Sequence, residues 1–473
     1  MKRVFVRESF FSVPASELFA FHERRDAFEL LTPPGFDNIT VHSTVSTIKP
    51  SVEEARFTVR VVGIPFHFTM VHTVYEPPTR FVDEMLRGPF QSWKHEHQIV
   101  EAGWNHDPAC LLRDEVSYSH PLLFAGNFAV SWPLTRLFNE RHQITKRAIE
   151  ASIQQRPSKT PARSIAITGG TGIIGKRITE ILLEKGENVT LLVRNQQAAR
   201  RLFQDRVEYA QWDFQSPEEG NWREAIASSD HVIHLAGTPL FNHRWTPSFK
   251  VAMKKSRTES TRQIVDAMRK LEGRPKSLIS ASAVGIYGTD PKRLVNEESH
   301  AGDDLLADIC RAWEDEAGKA EELGVRTVQM RIGIVIDTES GALKEMLPLF
   351  KVGLGGVLGK PDHWINWVHV EDVARMFVMA LDNDQMRGPI NAVSPHPVTN
   401  KTFATTVAQV LRRPCLMRYP TFLLKLGLGE SAEYVSGGPR ASAQSTKNLG
   451  YTFFFDELEP TLRHLLNRPT SSQ

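Results

Sequence analysis

The chain has 473 residues, of which 41% are hydrophobic and 24% are charged. Because one hydrophobic core seldom serves more than about 250–300 residues, this length predicts roughly two to four domains. The 57 basic and 55 acidic side chains leave a formal net charge of +2, which argues against a nucleic-acid surface built on a clustered basic excess. The three cysteines, Cys110, Cys310 and Cys415, lie far apart, which argues against a disulfide framework and favours a reducing compartment.

The N-terminal segment carries charges that do not fit a secretory signal. Arg7 and Glu8 lie where a signal peptide needs an unbroken apolar run. A membrane-spanning helix needs about 18–20 consecutive apolar residues, and the most apolar stretch, 121–138, is interrupted by Asn127 and Arg136. We therefore expect a cytoplasmic protein without a membrane span.

Residues 1 to about 116 show mostly the period-two alternation of half-buried antiparallel strands. Strands are predicted at Val4–Val6, Ile39–Ile48, Ala55–Val62, Phe66–Tyr75, Arg80–Leu86 and Gln91–Val100. A short helix is predicted near Pro14–His22, and a long helix follows from about Leu122 to Ile153. This order predicts an α+β domain whose sheet curls around one helix.

Residues 154–163 contain two prolines and no apolar periodicity, which is typical of a linker. From 164 to 413, short β-rich runs alternate with helical patterns of 10 to 15 residues. That alternation predicts an α/β domain with a doubly wound parallel sheet. The remaining residues, 414–473, have a mixed pattern and are predicted to form a small C-terminal domain.

A glycine-rich turn follows the first predicted strand of this α/β region. The strand is 165–168, and Gly169, Gly172 and Gly175 come directly after it, before a helical pattern. Glycines at this spacing allow a sharp turn, close approach of the backbone to a pyrophosphate, and tight packing of helix on strand. The helix N-terminus then offers free amides and a positive dipole end to phosphates. The turn in this strand–helix context predicts dinucleotide binding.

Two residues bear on which dinucleotide is bound. The second strand ends in Arg194 rather than an acidic residue, which favours the 2′-phosphate of NADP over the free ribose of NAD. The alternative is a solvated arginine at a strand end. Asp213, after the third strand, could bind the adenine amino group or could cap a turn.

Five segments carry a family pattern: GGTGIIG (Gly169–Gly175), HLAG (His234–Gly237), SASAVGIYG (Ser280–Gly288), MRIGIVI (Met330–Ile336) and WVHVEDVA (Trp367–Ala374). They resemble the extended short-chain dehydrogenase/reductase family, in particular its nucleoside-diphosphate-sugar epimerase/dehydratase branch. The resemblance implies that Ser282 occupies the substrate-orienting Ser/Thr position. The implied cofactor-binding residues are Gly169, Thr171, Gly172, Ile173, Ile174, Gly175, Arg194, Asp213, Leu235, Ala236, Gly237 and Arg331.

Further signatures resemble one epimerase subfamily with a short C-terminal domain of unknown function. They are Arg244-Trp245-Thr246, Ser256-Arg257, Asn391-Ala392 and Pro397–Asn400, with Gly429–Phe453 resembling the C-terminal domain. Residues 1–153, through the run Gly88–His97, resemble the START/polyketide-cyclase-like SRPBCC group. That resemblance implies a helix-grip fold around a tunnel for an apolar ligand.

The family's Tyr-x-x-x-Lys dyad is missing. By position, Cys310 and Glu314 stand where Tyr and Lys would be, one helical turn apart on the same face. A carboxylate there would raise the pKa of the thiol rather than lower it. Cys310 is therefore either an unusual proton-transfer group or a small apolar core residue, and Tyr287 is another candidate proton donor.

Two further residue pairs are candidate ligand sites. His95 and His97 point to one face of a strand, but no third metal ligand has matching spacing, so a solvated or tunnel-lining pair is favoured and no metal is expected. Arg244 and Trp245 could stack on a sugar or a base, although a packing role for Trp245 is equally open.

Three functional hypotheses follow. The first is an NADP(H)-dependent oxidoreductase or epimerase-like enzyme acting on a small molecule, a sugar nucleotide or another carbonyl or alcohol, with an unusual proton-transfer group. The second is a non-catalytic NADP(H)-binding sensor or scaffold. The third places the function in the N-terminal half, as an apolar-ligand carrier coupled to nucleotide occupancy.

Overall fold

The computed structural model describes residues 3–24, 27–31, 39–43, 48–50, 54–61, 64–102, 108–119, 128–154, 161–240, 245–271, 273–432 and 437–466. The chain forms two compact units, Met1–Pro157 with Arg463–Gln473, and Ser158–Leu462. The predicted domain borders at 153, 164 and 413 stay predictions. Arg244 and linker residues 155–160 lie outside the described ranges.

The first unit contains an antiparallel seven-stranded sheet with the strand order β1-β7-β6-β5-β4-β3-β2. Its strands are β1 (Arg3–Phe11), β2 (Ile39–Ser43), β3 (Ala55–Val61), β4 (Ile64–Glu76), β5 (Arg80–Arg87), β6 (Ser92–Glu101) and β7 (Cys110–Ser119). Strand β7, which the sequence does not predict, pairs with both β1 and β6. The last strand of this sheet in chain order is therefore hydrogen-bonded to the first.

Three helices accompany this sheet: α1 (Ala15–His22), α2 (Ala27–Leu30) and α3 (Phe128–Gln154). Leu134 and Phe138 of α3 pack on Phe5, Val116 and Tyr118 of the sheet, and the rings of Phe5 and Phe138 are 5.4 Å apart. The long helix over a sheet agrees with the prediction, although its expected first turn, 122–127, falls outside the described residues. Burial of these aromatic side chains supplies most of the favourable energy of this packing.

The second unit is built on a parallel seven-stranded sheet with the order β10-β9-β8-β11-β12-β14-β19. The strands are β8 (Ser164–Thr168), β9 (Asn188–Val193), β10 (Glu208–Gln211), β11 (His231–His234), β12 (Ser277–Ala283), β14 (Arg326–Ile332) and β19 (Gly388–Ala392). The strand order reverses direction next to β8, as in Rossmann-type doubly wound folds, and the predicted fold class is confirmed.

Helices cover both faces of this sheet: α4 (Ile173–Glu184), α5 (Gln196–Phe203), α6 (Trp222–Ala227), α7 (Pro247–Arg269), α8 (Leu305–Gly318) and α10 (Val370–Asp382). Helices α9 (Gly341–Lys351) and α11 (Asn400–Leu411) contact shorter strands of the unit, and α12 (Thr421–Leu428) follows them in the chain. On one face, Ile264 of α7 packs in a core with Val232 and Leu278 of the strands. The alternate side chains Ile165 and Ile167 are also fully buried, because α4 and α10 pack together on the other face.

Short strand pairs complete the second unit. They are β13 (Leu294–Val295) with β22 (Arg440–Ala441), β15 (Ile334–Ile336) with β18 (Trp367–His369), β16 (Gly356–Leu358) with β21 (Met417–Tyr419), and β17 (Trp364–Ile365) with β20 (Val398–Thr399). Two of these pairs join the tail beyond residue 413 to earlier parts of the unit. Short helices follow at Gln444–Asn448 and Leu458–Leu465.

In the described residues, no helix has both the length and the apolar character needed to cross a bilayer.

Candidate functional site

The glycine turn forms at the carboxyl end of β8. Gly169 has a φ of +69°, a left-handed conformation that favours glycine. A Cβ atom on Gly175 would lie 2.3 Å from the Gly169 carbonyl oxygen and 2.7 Å from the Gly170 Cα. Both positions therefore require glycine, one for its backbone angle and the other for the close packing of helix on turn.

The N-terminus of α4 is open toward this turn. Gly172 is the residue before the helix and has φ −74° and ψ 169°. Because glycine has no side chain, no side-chain hydrogen bond caps the helix there. Its amide donates to the Gly169 carbonyl at 3.0 Å, and its carbonyl accepts from the Lys176 amide at 2.7 Å. The first-turn amides, including those of Ile173 and Ile174, lack an intrahelical partner by helix geometry. They present the positive end of the helix to an anion.

Hydrogen bonds to the buried Thr168 side chain hold the loop after β11 against the glycine turn. The Thr168 hydroxyl accepts from the amides of Leu235 and Ala236 at 3.1 and 3.2 Å. A Cβ on Gly169 would meet the Leu235 carbonyl carbon at 2.9 Å. The two loops predicted to line the cofactor are thus in van der Waals contact.

The tautomer of His234 follows from its neighbours. Ser260 donates its hydroxyl proton to the Ser256 carbonyl at 2.7 Å, so its oxygen accepts from His234 Nε2 at 3.2 Å. The Thr168 hydroxyl then donates to Nδ1 at 2.7 Å. Burial lowers the pKa of His234 to about 3. His234 is a neutral structural link between β8, β11 and α7.

Gly237 lies next to Arg257 of α7. A Cβ on Gly237 would sit 3.4 Å from the Arg257 guanidinium carbon. The guanidinium donates to the Thr238 carbonyl at 3.1 Å and lies 5.3 Å from the centre of the Trp313 ring. Arg257 therefore fixes the loop that continues from the HLAG segment, a role that its place in the Ser-Arg signature did not reveal.

Arg194 and Asp213 lie at the ends of neighbouring strands. Arg194 is exposed after β9, and its carbonyl accepts from the Gln211 side-chain amide at 3.0 Å. Among the described residues, none pairs with its guanidinium. Asp213 Oδ1 accepts from the Gln215 amide at 3.0 Å, so the turn-capping role is realised, while its adenine contact stays a prediction.

The predicted Ser282 side chain is buried and bonded to Glu314. Its hydroxyl donates to Glu314 Oε1 at 2.6 Å. Arg331 of β14 donates two hydrogen bonds to the same carboxylate, from Nε to Oε1 at 2.9 Å and from Nη2 to Oε2 at 2.8 Å. Burial lowers the pKa of Arg331, but Glu314 and Tyr287 outweigh it and raise the pKa above its ordinary value. Glu314 thus connects the serine strand to a bidentate arginine.

Tyr287 lies on the other side of Arg331. Its hydroxyl donates to Asn391 Oδ1 at 2.7 Å and accepts from Arg331 Nη1 at 2.9 Å. Glu297 joins this network, because its carbonyl accepts from Arg331 and its carboxylate accepts from the Asn391 amide at 2.8 Å. Burial raises the pKa of Tyr287. The structure therefore places three predicted residues, Ser282, Tyr287 and Arg331, in one polar network that Glu314, Glu297 and Asn391 complete.

Cys310 faces an apolar cluster instead. It is 4% exposed and packs with Ile286, Tyr287, Val295 and Val393. Burial, with a smaller contribution from Glu314, raises the pKa of Cys310 to about 12. The expected direction of that shift is confirmed, and the thiol stays protonated at neutral pH.

Trp245 packs against its surroundings. The ring is 4% exposed beside Met253 and Ile309, and its Nε1 donates to the Leu240 carbonyl at 2.8 Å. Its neighbour Arg244 lies outside the described residues, so the stacking hypothesis for the pair stays a prediction.

His95 and His97 of β6 are both buried, at 5% and 2% exposure. Of the two alternatives predicted, a solvated or a tunnel-lining pair, the solvated one is wrong, because helices α1 and α3 lie over this face of the sheet: the His22 ring is 5.9 Å from His97, and the Phe138 ring is 5.0 Å from His95. A third potential ligand is nevertheless present: a carboxylate oxygen of Asp83, on the neighbouring strand β5, lies close to both histidines. Spacing along the sequence could not reveal it.

Comparison with known proteins connects this geometry to a family. A model of the NAD dependent epimerase/dehydratase family matches residues 165–306, and the domain of unknown function DUF1731 matches 419–465. The chain is 33% identical over 351 residues to the Epimerase family protein SDR39U1 homolog, chloroplastic, of Arabidopsis thaliana, covering 73% of this chain and 98% of the relative. The chain belongs to the NAD dependent epimerase/dehydratase family.

Other proteins named as epimerases are also similar to this chain. The Epimerase family protein YfhF of Bacillus subtilis is 37% identical over 306 residues, covering 64% of this chain and 98% of the relative. The crystal structure of the nucleoside-diphosphate sugar epimerase from Corynebacterium glutamicum is similar over 98% of this chain and 90% of its own, with a TM-score of 0.56 and 25% identity.

A structure of the human epimerase family protein SDR39U1 (isoform2) with NADPH is 27% identical, with a TM-score of 0.56, over 64% of this chain and 98% of its own. The glycine turn and the Ser282 strand of this epimerase-family chain thus belong to a fold seen with a nicotinamide nucleotide.

Proposed function

We propose that this chain is an NADP(H)-binding oxidoreductase of the nucleoside-diphosphate-sugar epimerase type, acting on a sugar nucleotide or another carbonyl or alcohol. The observation that carries the proposal is the uncapped N-terminus of α4 behind a turn where Gly169 and Gly175 leave no room for side chains. When bound, the cofactor would supply hydride transfer. The chain's turn amides would hold its pyrophosphate.

Preference for NADP over NAD rests on Arg194. An exposed guanidinium at the end of the second strand suits a 2′-phosphate and has no carboxylate partner among the described residues. The human relative that holds NADPH supports the same choice.

Calorimetric titration with NADPH, NADP⁺, NADH and NAD⁺ tests this choice. We expect Arg194→Glu to weaken NADPH binding at least about tenfold, since one charge-assisted phosphate contact contributes about 1.5–3 kcal/mol. Arg269→Glu is the matched control, because α7 connects the parallel neighbours β11 and β12, so its exposed last residue lies at the amino ends of the strands, away from the glycine turn. Tighter binding of NADH than of NADPH by the wild type would overturn the assignment.

For proton transfer we propose Ser282 with Glu314 in place of the missing dyad. A substrate hydroxyl bound at Ser282 Oγ would pass its proton through that oxygen to the carboxylate, which lies 2.6 Å away. Arg331 positions the carboxylate and balances its charge. Cys310, predicted as an alternative proton-transfer group, is less suited because its thiol pKa is about 12.

The proton-transfer proposal is tested by NADPH absorbance across a panel of sugar nucleotides and carbonyl compounds. Ser282→Ala should lower turnover by about 10²–10⁴-fold, the usual contribution of general acid–base catalysis. Cys310→Ala should retain turnover. Loss of turnover in Cys310→Ala with Ser282→Ala active would reverse the two roles.

The second candidate function is a non-catalytic NADP(H)-binding sensor or scaffold. It is favoured by Cys310 and Glu314 at the two positions where the family carries Tyr and Lys. Tight NADPH binding without turnover on any member of the panel would favour it. In this reading residues 1–153 form an SRPBCC domain for an apolar ligand, and the protein works in the cytoplasm.

A further inference from the structure

Titratable side chains gather on one face of the antiparallel sheet in the first unit. His95 and His97 share a face of β6, two residues apart. Asp83 of β5 lies directly opposite His95, and Asp114 of β7 lies directly opposite His97. The register of three strands therefore brings two imidazoles between two carboxylates, far in sequence from the nucleotide turn.

Three ligand atoms converge in this cluster. Asp83 Oδ2 lies 3.5 Å from His95 Nδ1 and 3.4 Å from His97 Nε2, and all three atoms are within 4.8 Å of one another. A tetrahedral zinc ion with bonds of about 2.0–2.1 Å separates its ligand atoms by about 3.3–3.4 Å. The two distances from Asp83 Oδ2 match that edge length, and one ligand nitrogen of each histidine lies within 4.8 Å of the other.

The other nitrogen of each histidine faces a single carboxylate. Asp114 Oδ1 lies 3.1 Å from His95 Nε2 and 2.5 Å from His97 Nδ1, and its Oδ2 accepts from His142 Nε2 at 2.6 Å. Metal-bound histidines usually donate their second N–H to such a carboxylate, which fixes the ring and its tautomer. Asp114 is placed to orient the His95 ring through a hydrogen bond, and it lies in contact with the His97 ring.

His72 of β4 contacts the second carboxylate oxygen of Asp83, the one that does not face His95 and His97. Its Nδ1 contacts Asp83 Oδ1, so Oδ2 is the oxygen left to face His95 and His97. The Asp83 carboxylate thus contacts His72 through one oxygen and the two β6 histidines through the other.

Charge balance also favours a divalent cation. Metal-bound histidines are neutral, and Asp83 and Asp114 together then carry two negative charges in a mostly buried cluster. A dication compensates both, whereas buried carboxylates without compensation are costly. The Asp83 side chain is 19% exposed, which gives an ion a route from solvent.

We propose that Asp83, His95 and His97 bind one zinc ion, with the fourth coordination position open to water or a small exogenous ligand. Imidazole and carboxylate ligands suit zinc, whereas an all-oxygen set would suit magnesium or calcium. This site is independent of the proposed nucleotide function.

The test uses the untagged full-length chain, stripped with a chelator and titrated with Zn²⁺ by calorimetry, with bound metal measured by elemental analysis. One zinc per chain is expected. His95→Ala and His97→Ala should abolish stoichiometric binding, and Asp114→Asn should weaken it about 10–100-fold. Glu96→Gln is the matched control, because Glu96 lies between the two histidines on the opposite face and pairs with Arg80.

Circular dichroism and hydrogen exchange in the strands of the first unit establish that each variant is folded before its zinc affinity is compared. Cobalt substitution gives a second readout, since tetrahedral Co²⁺ absorbs visible light strongly and should lose that absorption in His95→Ala. Absence of stoichiometric zinc binding by the folded wild type, or equal affinity in His97→Ala and Glu96→Gln, would overturn the proposal. Preferential uptake of another divalent metal would overturn the zinc assignment.

Discussion

Gly175→Ala tests the packing on which nucleotide binding depends. The new methyl group would lie 2.3 Å from the Gly169 carbonyl oxygen and 2.7 Å from the Gly170 Cα, and neither backbone atom can move without opening the turn. Overpacking of this kind costs about 1–3 kcal/mol. If the free protein relieves it by shifting the turn, NADPH binding must restore the strained arrangement, so the dissociation constant should rise about 5- to 150-fold.

Calorimetry with NADPH measures this change, and thermal unfolding checks that the variant is folded. Gly318→Ala is the matched control at the last residue of α8, where the nearest atom to the new methyl group is a side-chain nitrogen 3.8 Å away. Its affinity should stay at the wild-type value. A folded Gly175→Ala that binds NADPH within about twofold of wild type would refute the packing argument.

Three further predictions concern stability. Glu314→Gln leaves Arg331 buried without its charge partner, and the free energy of unfolding in urea should fall by about 3–5 kcal/mol; a loss below about 1 kcal/mol would show the pair to be dispensable. Burial raises the pKa of Asp372, a fully buried residue in the first turn of α10, from 3.8 to about 7, so its contribution to stability is present below pH 3.8 and lost as pH rises through 7. The wild type should therefore lose up to about 4 kcal/mol relative to Asp372→Asn between pH 4 and 8, and parallel pH profiles would contradict this. Phe138→Ala should lower the stability of the first unit by about 3–5 kcal/mol, seen as faster hydrogen exchange in β7, while NADPH affinity is unchanged; a coupled loss of affinity would contradict it.

The glycine turn could be predicted because its requirements are local. A strand, three glycines at fixed spacing and a helix already specify the turn, and the structure adds only the distances that forbid a side chain at Gly175. The alternation of strands and helices from 164 onward likewise fixes a parallel sheet, since parallel strands need crossover connections. Strand β7 was missed because Asp114 and Ser117 interrupt its apolar pattern, and both side chains are buried by contacts from other elements.

The network around Glu314 could not be predicted from spacing. Arg331 was expected to contact the cofactor, yet its guanidinium is bonded to Glu314 and Tyr287. Those contacts depend on how α8 docks on β12 and β14, which no local pattern specifies. The loss of the family's Lys at position 314 was visible in the sequence, but the arginine that pairs with the new carboxylate was not.

Cross-strand register explains why the third ligand beside His95 and His97 was also missed. Asp83 lies 12 positions before His95, a separation set by the length of the β5–β6 connection rather than by a metal-binding motif. Such a site appears only when strands are paired in their true register.

The Glu314–Arg331 pair also blocks a simple return to the usual chemistry. Exchanging Cys310 for tyrosine and Glu314 for lysine would set an ammonium beside a buried guanidinium, with no carboxylate between them. The tyrosine ring would also need space in a cluster where Cys310 is 4% exposed. Evolution or protein engineering toward a Tyr-Lys enzyme must therefore change positions 310 and 314 together, because Glu314→Lys alone removes the carboxylate that pairs with Arg331.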